Sequence, residues 1–236
     1  MKYMGSKGRH AREILPLILR SRMDGQPYVE PFVGGFNVID KVEGIRFGND
    51  NHPYLISLFK AVQNGWEPPT SVSEQEYADV QRNKDKYPEY LVGFVGFGCS
   101  YSGKWFGGFA RGNDNKGNPR NYCLESRTNI LKQAPNLEGI QITCLDYRDL
   151  VIPEKSIIYC DPPYAQTTAY ATGTFDTKYF WNWVRKQSEN GHTLFVSEYV
   201  APPDFKCVWE KHVNNTLVAN TGAKTGVEKL FTLNDL

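Results

Sequence analysis

Asp161-Pro162-Pro163-Tyr164 is the stretch of this chain best equipped for chemistry. It follows an apolar run, 156–160, that reads as a buried strand of a parallel sheet. Loops at the carboxyl ends of such strands are where α/β sheets hold their ligands. This loop offers a carboxylate at Asp161, a Pro162 carbonyl with no N–H on the residue that follows, and the aromatic face of Tyr164. Two acceptors and a stacking surface suit a flat ring that bears an amino group. The competing reading is an acidic turn stiffened by proline. Its place after a buried strand weighs against that.

A second group surrounds paired glycines. Glu30-Pro31-Phe32-Val33-Gly34-Gly35 follows a strand-like run, and glycines at a strand-to-helix turn admit a ligand close to the backbone, with a helix N-terminus behind them. The spacing is neither GxGxxG nor a phosphate loop, so a plain βα turn fits it equally well. Asp50 lies at the distance where nucleotide-binding sheets place a ribose-binding carboxylate, and it is equally suited to cap a helix starting near Pro53. Tyr3-Met4-Gly5-Ser6-Lys7 brings an aromatic ring, a glycine and a lysine together ahead of a helical pattern. Gly98-Cys99-Ser100-Tyr101-Ser102 approaches the hydrolase G-x-S-x-G but lacks the last glycine and a strand to feed it.

The elements that must position these residues are legible as alternating patterns. Strand-like runs fall at 27–30, 140–144, 156–160, 193–197 and 228–233. Helical spacing follows Asp176 (Tyr179, Phe180, Trp183, Val184) and Pro53 (Leu55, Leu58, Phe59, Val62). The alternation predicts an α/β sheet. Residues 66–135 differ: they are polar, rich in Tyr, Gly, Asn and Lys, and read as an insert with its own binding surface. The expected organisation is therefore 1–65 with 136–236 as one domain, interrupted by 66–135.

Composition narrows the classes. At 236 residues, 40% apolar and 14% aromatic, the chain can build one substantial core and one insert. No run approaches the length of a membrane span or a signal-peptide core. The five cysteines lack CxxC spacing and read as buried thiols of a cytoplasmic protein, and the four scattered histidines predict no metal site. Net charge is only +1, yet residues 1–23 carry six cations against Glu13, and residues 102–132 carry six against Asp114 and Glu125. Such clustering fits a phosphate-binding face, and a solvated surface fits it as well.

Taken in order, these motifs resemble the Dam-type (D12 class) DNA adenine-N6 methyltransferases, and in compactness the phage and prophage members of that family. Tyr3 to Lys7, Glu30 to Gly35, Asp50 ahead of Leu55-Ile56-Ser57-Leu58, and Asp161 to Tyr164 carry the likeness. It extends through Gly103-Lys104-Trp105-Phe106-Gly107-Gly108, Asp146-Tyr147, Val196-Ser197 and Val227-Glu228-Lys229-Leu230, nearly the whole chain. The resemblance implies a Rossmann-like, seven-stranded methyltransferase sheet binding S-adenosylmethionine, with 66–135 as a small target-recognition domain. It places Tyr3, Lys7, Glu30, Phe32, Gly34, Gly35, Asp50, Asp146, Tyr147 and Asp161 at the cofactor. Asp161, Pro162, Pro163 and Tyr164 become catalytic, and Lys7, Arg9, Ser100, Tyr101, Lys104, Arg111 and Arg120 face DNA. Ser100-Tyr101-Ser102 departs from the sequence carried by Dam proteins that read GATC.

On that reading the target adenine of double-stranded DNA is flipped out of the helix, Asp161 and the Pro162 carbonyl orient its N6, and the stretch 165–175 orders over it. The protein would act in the cytoplasm as a monomer or weak dimer, with no metal and no membrane. Two alternatives stay open: an amino-methyltransferase acting on RNA, cytosine N4 or protein, and a DNA-binding relative that has lost catalysis.

Overall fold

The computed structural model describes residues 1–163, 175–214 and 225–233. Its strands are β1 (Tyr28–Glu30), β2 (Arg46–Asn49), β3 (Ile140–Thr143), β4 (Ile157–Cys160), β5 (Thr193–Glu198), β6 (Lys206–Asn214) and β7 (Thr225–Thr232). Its helices are α1 (Ala11–Ile18), α2 (Pro53–Gln63), α3 (Glu74–Arg82), α4 (Glu89–Gly93), α5 (Tyr122–Leu137) and α6 (Thr177–Glu189). The seven strands follow the order β3-β2-β1-β4-β5-β7-β6 in one mixed sheet, the architecture expected of the sequence.

By contact density the chain divides into one unit of residues 1–11 and 33–149 and another of 12–32 and 150–236. In the first, β2 and β3 pair in parallel from Arg46↔Ile140 to Asn49↔Thr143. Helix α2 begins with Pro53 at its first turn, where a missing N–H costs nothing, and buries Leu55, Ile56, Leu58, Phe59 and Val62. Each fully buried side chain of this kind contributes about 1.5–3 kcal/mol. Helix α4 approaches α2 so closely that a Cβ on Gly93 would lie 2.1 Å from the Tyr54 carbonyl oxygen. Helix α3 starts with a reciprocal capping box between Ser73 and Glu76.

In the second unit β1, β4 and β5 run parallel, and every residue of β1 and β4 is buried. That explains the apolar run of β4, while β1 ends in the buried carboxylate of Glu30. Strand β7 lies antiparallel between β5 and β6, and β6 bulges between Cys207 and Trp209. Helix α6 is capped by Asp176, whose carboxylate accepts from the Tyr179 N–H at 2.9 Å, as its sequence predicts.

Three expectations need correction. Strands β2 and β6 carry no apolar signature, because one is built of Arg-Phe-Gly-Asn and the other is a charged edge strand. No α-helix stands behind the glycine pair: a single 3₁₀ turn, Ile39–Lys41, fills the space before β2. Cys99, Cys123 and Cys160 are buried, but Cys144, just past β3, and Cys207, on β6, are exposed; all five are free thiols.

Among the described residues, no helix is long and apolar enough to cross a membrane. No group of three or more His, Cys, Asp or Glu side chains among them is arranged to hold a metal ion.

Candidate functional site

In the first unit the glycine turn is closed by Asp50. One carboxylate oxygen accepts from the Gly34 N–H at 3.0 Å, and the other accepts from the His52 N–H at 3.0 Å. Burial pushes this carboxyl up, and the backbone N–H groups of His52, Gly34 and Asn51 pull it back. The cap of α2 is His52, not Asp50, with its Nδ1 accepting from the Leu55 N–H at 3.3 Å. Asn49, buried at the end of β2, holds the next segment by exchanging bonds with the Leu145 backbone at 2.9 and 3.0 Å.

The glycines make room for Tyr3 and Asn37. Gly34 has φ +50°, and a Cβ there would meet the Tyr3 ring at 2.8 Å; a Cβ on Gly35 would meet Tyr3 Cβ at 2.7 Å. Tyr3 in turn lies 5.5 Å from the ring of Phe97, and the Met4 N–H donates to the Gly103 carbonyl at 3.3 Å. The N-terminal motif therefore straps the glycine turn to the loop carrying Lys104. Lys7 is buried, with its ammonium 3.3 Å from the Gly5 carbonyl. Asp146 grips Arg148 through both oxygens, which holds its carboxyl below the usual range, and Tyr147 beside it is buried.

His52 sits edge-on to Trp105 at 4.4 Å and Phe97 at 5.0 Å, while Tyr54 stacks on Trp105 at 5.3 Å. Burial among these rings lowers the imidazole from its ordinary 6.5 to about 4. Between those values the unfolded chain binds a proton that the folded chain does not. Stability should therefore be full above 6.5 and fall as pH drops towards 4, by at most ~1.4 kcal/mol per pH unit for this half-buried ring. His52→Asn keeps a capping acceptor and removes the titration. Urea unfolding at successive pH values should show a shallower loss in the variant, and equal slopes would remove His52 from this role.

In the second unit, the carboxyl ends of the adjacent strands β1 and β4 carry Glu30 and Asp161. Glu30 is 3% exposed and accepts from the Tyr28 hydroxyl at 2.9 Å. Burial, then the charge on Glu30, raise the Tyr28 phenol well above its ordinary value, so it stays a donor. Tyr159 and Ser197 share a hydrogen bond at 2.8 Å, and burial with Asp161 nearby raises that phenol too. Pro162 is buried and Pro163 half-buried behind Asp161. Phe32 packs edge-on against Phe175 at 5.9 Å and Phe180 at 5.7 Å. Tyr164 and residues 165–174 lie outside the described residues.

The residues expected to face DNA divide by environment. Ser100 is 5% exposed, and its hydroxyl meets Tyr77 Oη and the Gly96 carbonyl, both at 2.7 Å. It anchors the loop internally. Next to it Tyr101 is 62% exposed, ahead of Ser102 at φ 54° and Gly103 at φ 67°. Arg9 and Lys104 are exposed, and the Lys104 ammonium has no acidic partner among the described residues. Arg111 pairs with Glu74, and Arg120 holds Glu125 through two bonds while lying 4.5 Å over the Tyr122 ring. Sequence reasoning missed Gln133, Asn49 and His52 in this framework. The roles of Gln133 and Asn49 depend on partners up to 132 positions away, whereas His52 caps α2 locally but packs against Phe97 and Trp105 from distant segments.

SMU.472, a candidate methyltransferase complexed with SAH, is similar over 100% of this chain and 54% of its own, at 13% identity and a TM-score of 0.38. The chain thus spans about half the length of that protein, and the likeness is too distant for residue-level comparison. A profile of the D12 class N6 adenine-specific DNA methyltransferases matches residues 3–92 and 72–197, most of the chain and every motif from Tyr3 to Ser197. The chain belongs to the D12 class N6 adenine-specific DNA methyltransferase family.

Proposed function

We propose that this protein moves a methyl group from S-adenosylmethionine to N6 of an adenine flipped out of double-stranded DNA. The observation that carries the reading is the Asp161-Pro162-Pro163 turn, rigid and set directly beyond the buried strand β4. Membership of the family supports the substrate class.

The residues present suit the cofactor. The turn at Gly34 and Gly35, tied to Asp50 and covered by Tyr3, offers backbone groups rather than side chains of its own, and the Asp50 carboxylate has acceptor capacity beyond its bonds to Gly34 and His52 for a ribose diol. Tyr3, Lys7, Glu30, Phe32, Asp146 and Tyr147 complete the proposed cofactor set. Bound there, S-adenosylmethionine supplies a methyl group on a sulfonium, a strong electrophile.

Adenine N6 is a poor nucleophile because its lone pair is delocalised into the ring. Asp161 and the Pro162 carbonyl each accept one N6 hydrogen, which favours a pyramidal nitrogen with its lone pair directed out of the ring plane. The Asp161 charge also stabilises the positive charge that develops on N6, and it is placed to receive the proton that N6 then loses. Tyr164 stacks on the base. Extruding the base costs a few kcal/mol, which phosphate contacts offset in part.

Residues 66–135 form the target-recognition part of this proposal, with 1–65 and 136–236 as the catalytic part. The protein works as a monomer or weak dimer in the cytoplasm. Lys104, an exposed cation without an acidic partner among the described residues, meets phosphate, with Arg9, Tyr101, Arg111 and Arg120 on the same DNA-facing set. Lys104→Ala should weaken binding on every sequence alike and lower the salt slope by about one. An unchanged slope would return Lys104 to solvated surface.

The proposal as a whole is tested by sequencing DNA from cells expressing the protein, with detection of modified bases. N6-methyladenine confined to one sequence context is the expected result. Unmodified adenine throughout would refute the reading.

A further inference from the structure

The glycine turn at residues 33–36 is held in an unfavourable shape. Gly34 has φ +50°, and Phe36, a bulky residue buried completely, has φ +58°. Side chains rarely adopt that backbone region, and such a residue persists only where its surroundings hold it. Part of the restraint is local. The Phe36 N–H donates to the Val33 carbonyl at 3.0 Å, and the Asp40 N–H donates to the Phe36 carbonyl at 3.3 Å. The Phe36 ring packs 4.3 Å from that of Phe59 on α2. The peptide between Gly35 and Phe36 needs its own restraint, because it joins the glycine pair to the strained residue.

That restraint comes from α5. Gln133 is 5% exposed, and its Nε2 donates to the Gly35 carbonyl at 3.0 Å. Its Oε1 accepts from the Met1 nitrogen at 2.9 Å, and the Asn37 amide donates to the Met1 carbonyl at 3.4 Å. One amide therefore fixes both the outer peptide of the turn and the segment that carries Tyr3 across it. A glutamine is suited to this because it donates and accepts at the two ends of one planar group. A buried amide with both ends engaged can be satisfied in only one orientation. Neither Gln133 nor α5 belongs to the motifs of the cofactor site.

We infer that Gln133 is a positioning residue for the cofactor, acting through the Gly35 carbonyl to hold the Gly34–Gly35 turn in its binding shape. The inference rests on the methyltransferase reading above. It makes Gln133 a determinant of cofactor affinity, while the adenine-orienting group at Asp161 is unaffected by it.

Two variants test this. Gln133→Glu keeps the shape and the acceptor facing Met1 but sets a carboxylate oxygen against the Gly35 carbonyl. Gln133→Leu removes both bonds and keeps the volume. Wild-type protein that methylates adenine in DNA establishes the parent reading first; if it neither binds S-adenosylmethionine nor transfers methyl groups, reading and inference fall together. Given active wild type, both variants should raise the KM for S-adenosylmethionine roughly 5- to 30-fold, the effect of an interaction of ordinary hydrogen-bond size. The KM for DNA and kcat at saturating cofactor should stay within about twofold of wild type. Assays run well below the melting temperature of each variant, measured alongside, separate positioning from unfolding. An unchanged KM for S-adenosylmethionine in either folded variant overturns the inference. So does an equal fall in kcat and in affinity for both substrates, which is the mark of a structural role alone.

Discussion

Asp161→Ala should lower the rate of methyl transfer by ~100- to 1000-fold, the usual cost of losing one preorganised acceptor at a transition-state charge. Affinity for S-adenosylmethionine should hardly change. The reasoning starts from β4, whose four residues are all buried and cannot shift without opening the sheet. Pro162 is buried behind the carboxylate, and the paired prolines remove two backbone degrees of freedom. The backbone that carries the carboxylate is thus fixed before the substrate arrives. Removing the carboxylate takes away one of two acceptors that orient N6 and the charge that stabilises the cationic product. Asp161→Asn retains an acceptor oxygen without the charge, so its loss should be smaller than that of the alanine variant. Single-turnover rates with saturating DNA give the comparison. Near-normal turnover in Asp161→Ala would show that the N6 amino group is oriented by some other residue.

Asp50→Ala should weaken S-adenosylmethionine binding by roughly 10- to 100-fold, in line with loss of a hydrogen bond to a charged group. Two losses combine here. The ribose loses its carboxylate acceptor, and the Gly34 and His52 N–H groups, now bonded to Asp50 at 3.0 Å each, lose theirs. The turn then relaxes as well as the contact. DNA affinity should change much less, because neither Lys104 nor Arg111 bonds to Asp50 directly and Arg111 is held by Glu74. Calorimetry with S-adenosylmethionine measures the first effect, and filter binding of DNA the second. Unchanged cofactor affinity would reduce Asp50 to a clamp on the turn.

Much of this arrangement was legible in the residue order. Strand β4 and the centre of β5 are short apolar runs because they are buried, and burial on both faces leaves no alternation to blur the signal. The cap at Asp176 and Pro53 at the start of α2 mark helix starts by local chemistry. Strand β2 was not legible. Its Asn49 is buried because Thr143 and Leu145, more than ninety positions away, satisfy its side chain. Strand β6 escaped for the opposite reason, since an edge strand can carry Lys206, Glu210 and Lys211 without cost.

At the site, local sequence singled out Gly34, Gly35, Asp50 and Asp161, each of which lies at or just beyond a strand end. Spacing could not show that Tyr3 and Asn37 crowd the two glycines, or that Ser100 turns inward to Tyr77 while Tyr101 turns outward. The same limit applies to Gln133, which looks like any polar residue of a helix until its bond to Gly35 is seen.

The central claim is that the methyl group goes to adenine N6 in DNA, and isotope transfer tests it most directly. Purified protein is incubated with S-adenosylmethionine carrying a trideuterated methyl group and with duplex DNA, which is then digested to nucleosides for mass spectrometry. The account predicts trideuterated N6-methyl-deoxyadenosine in the wild-type digest and its near-absence with Asp161→Ala. Label on cytosine, on added RNA or on protein, with deoxyadenosine unlabelled, would contradict it.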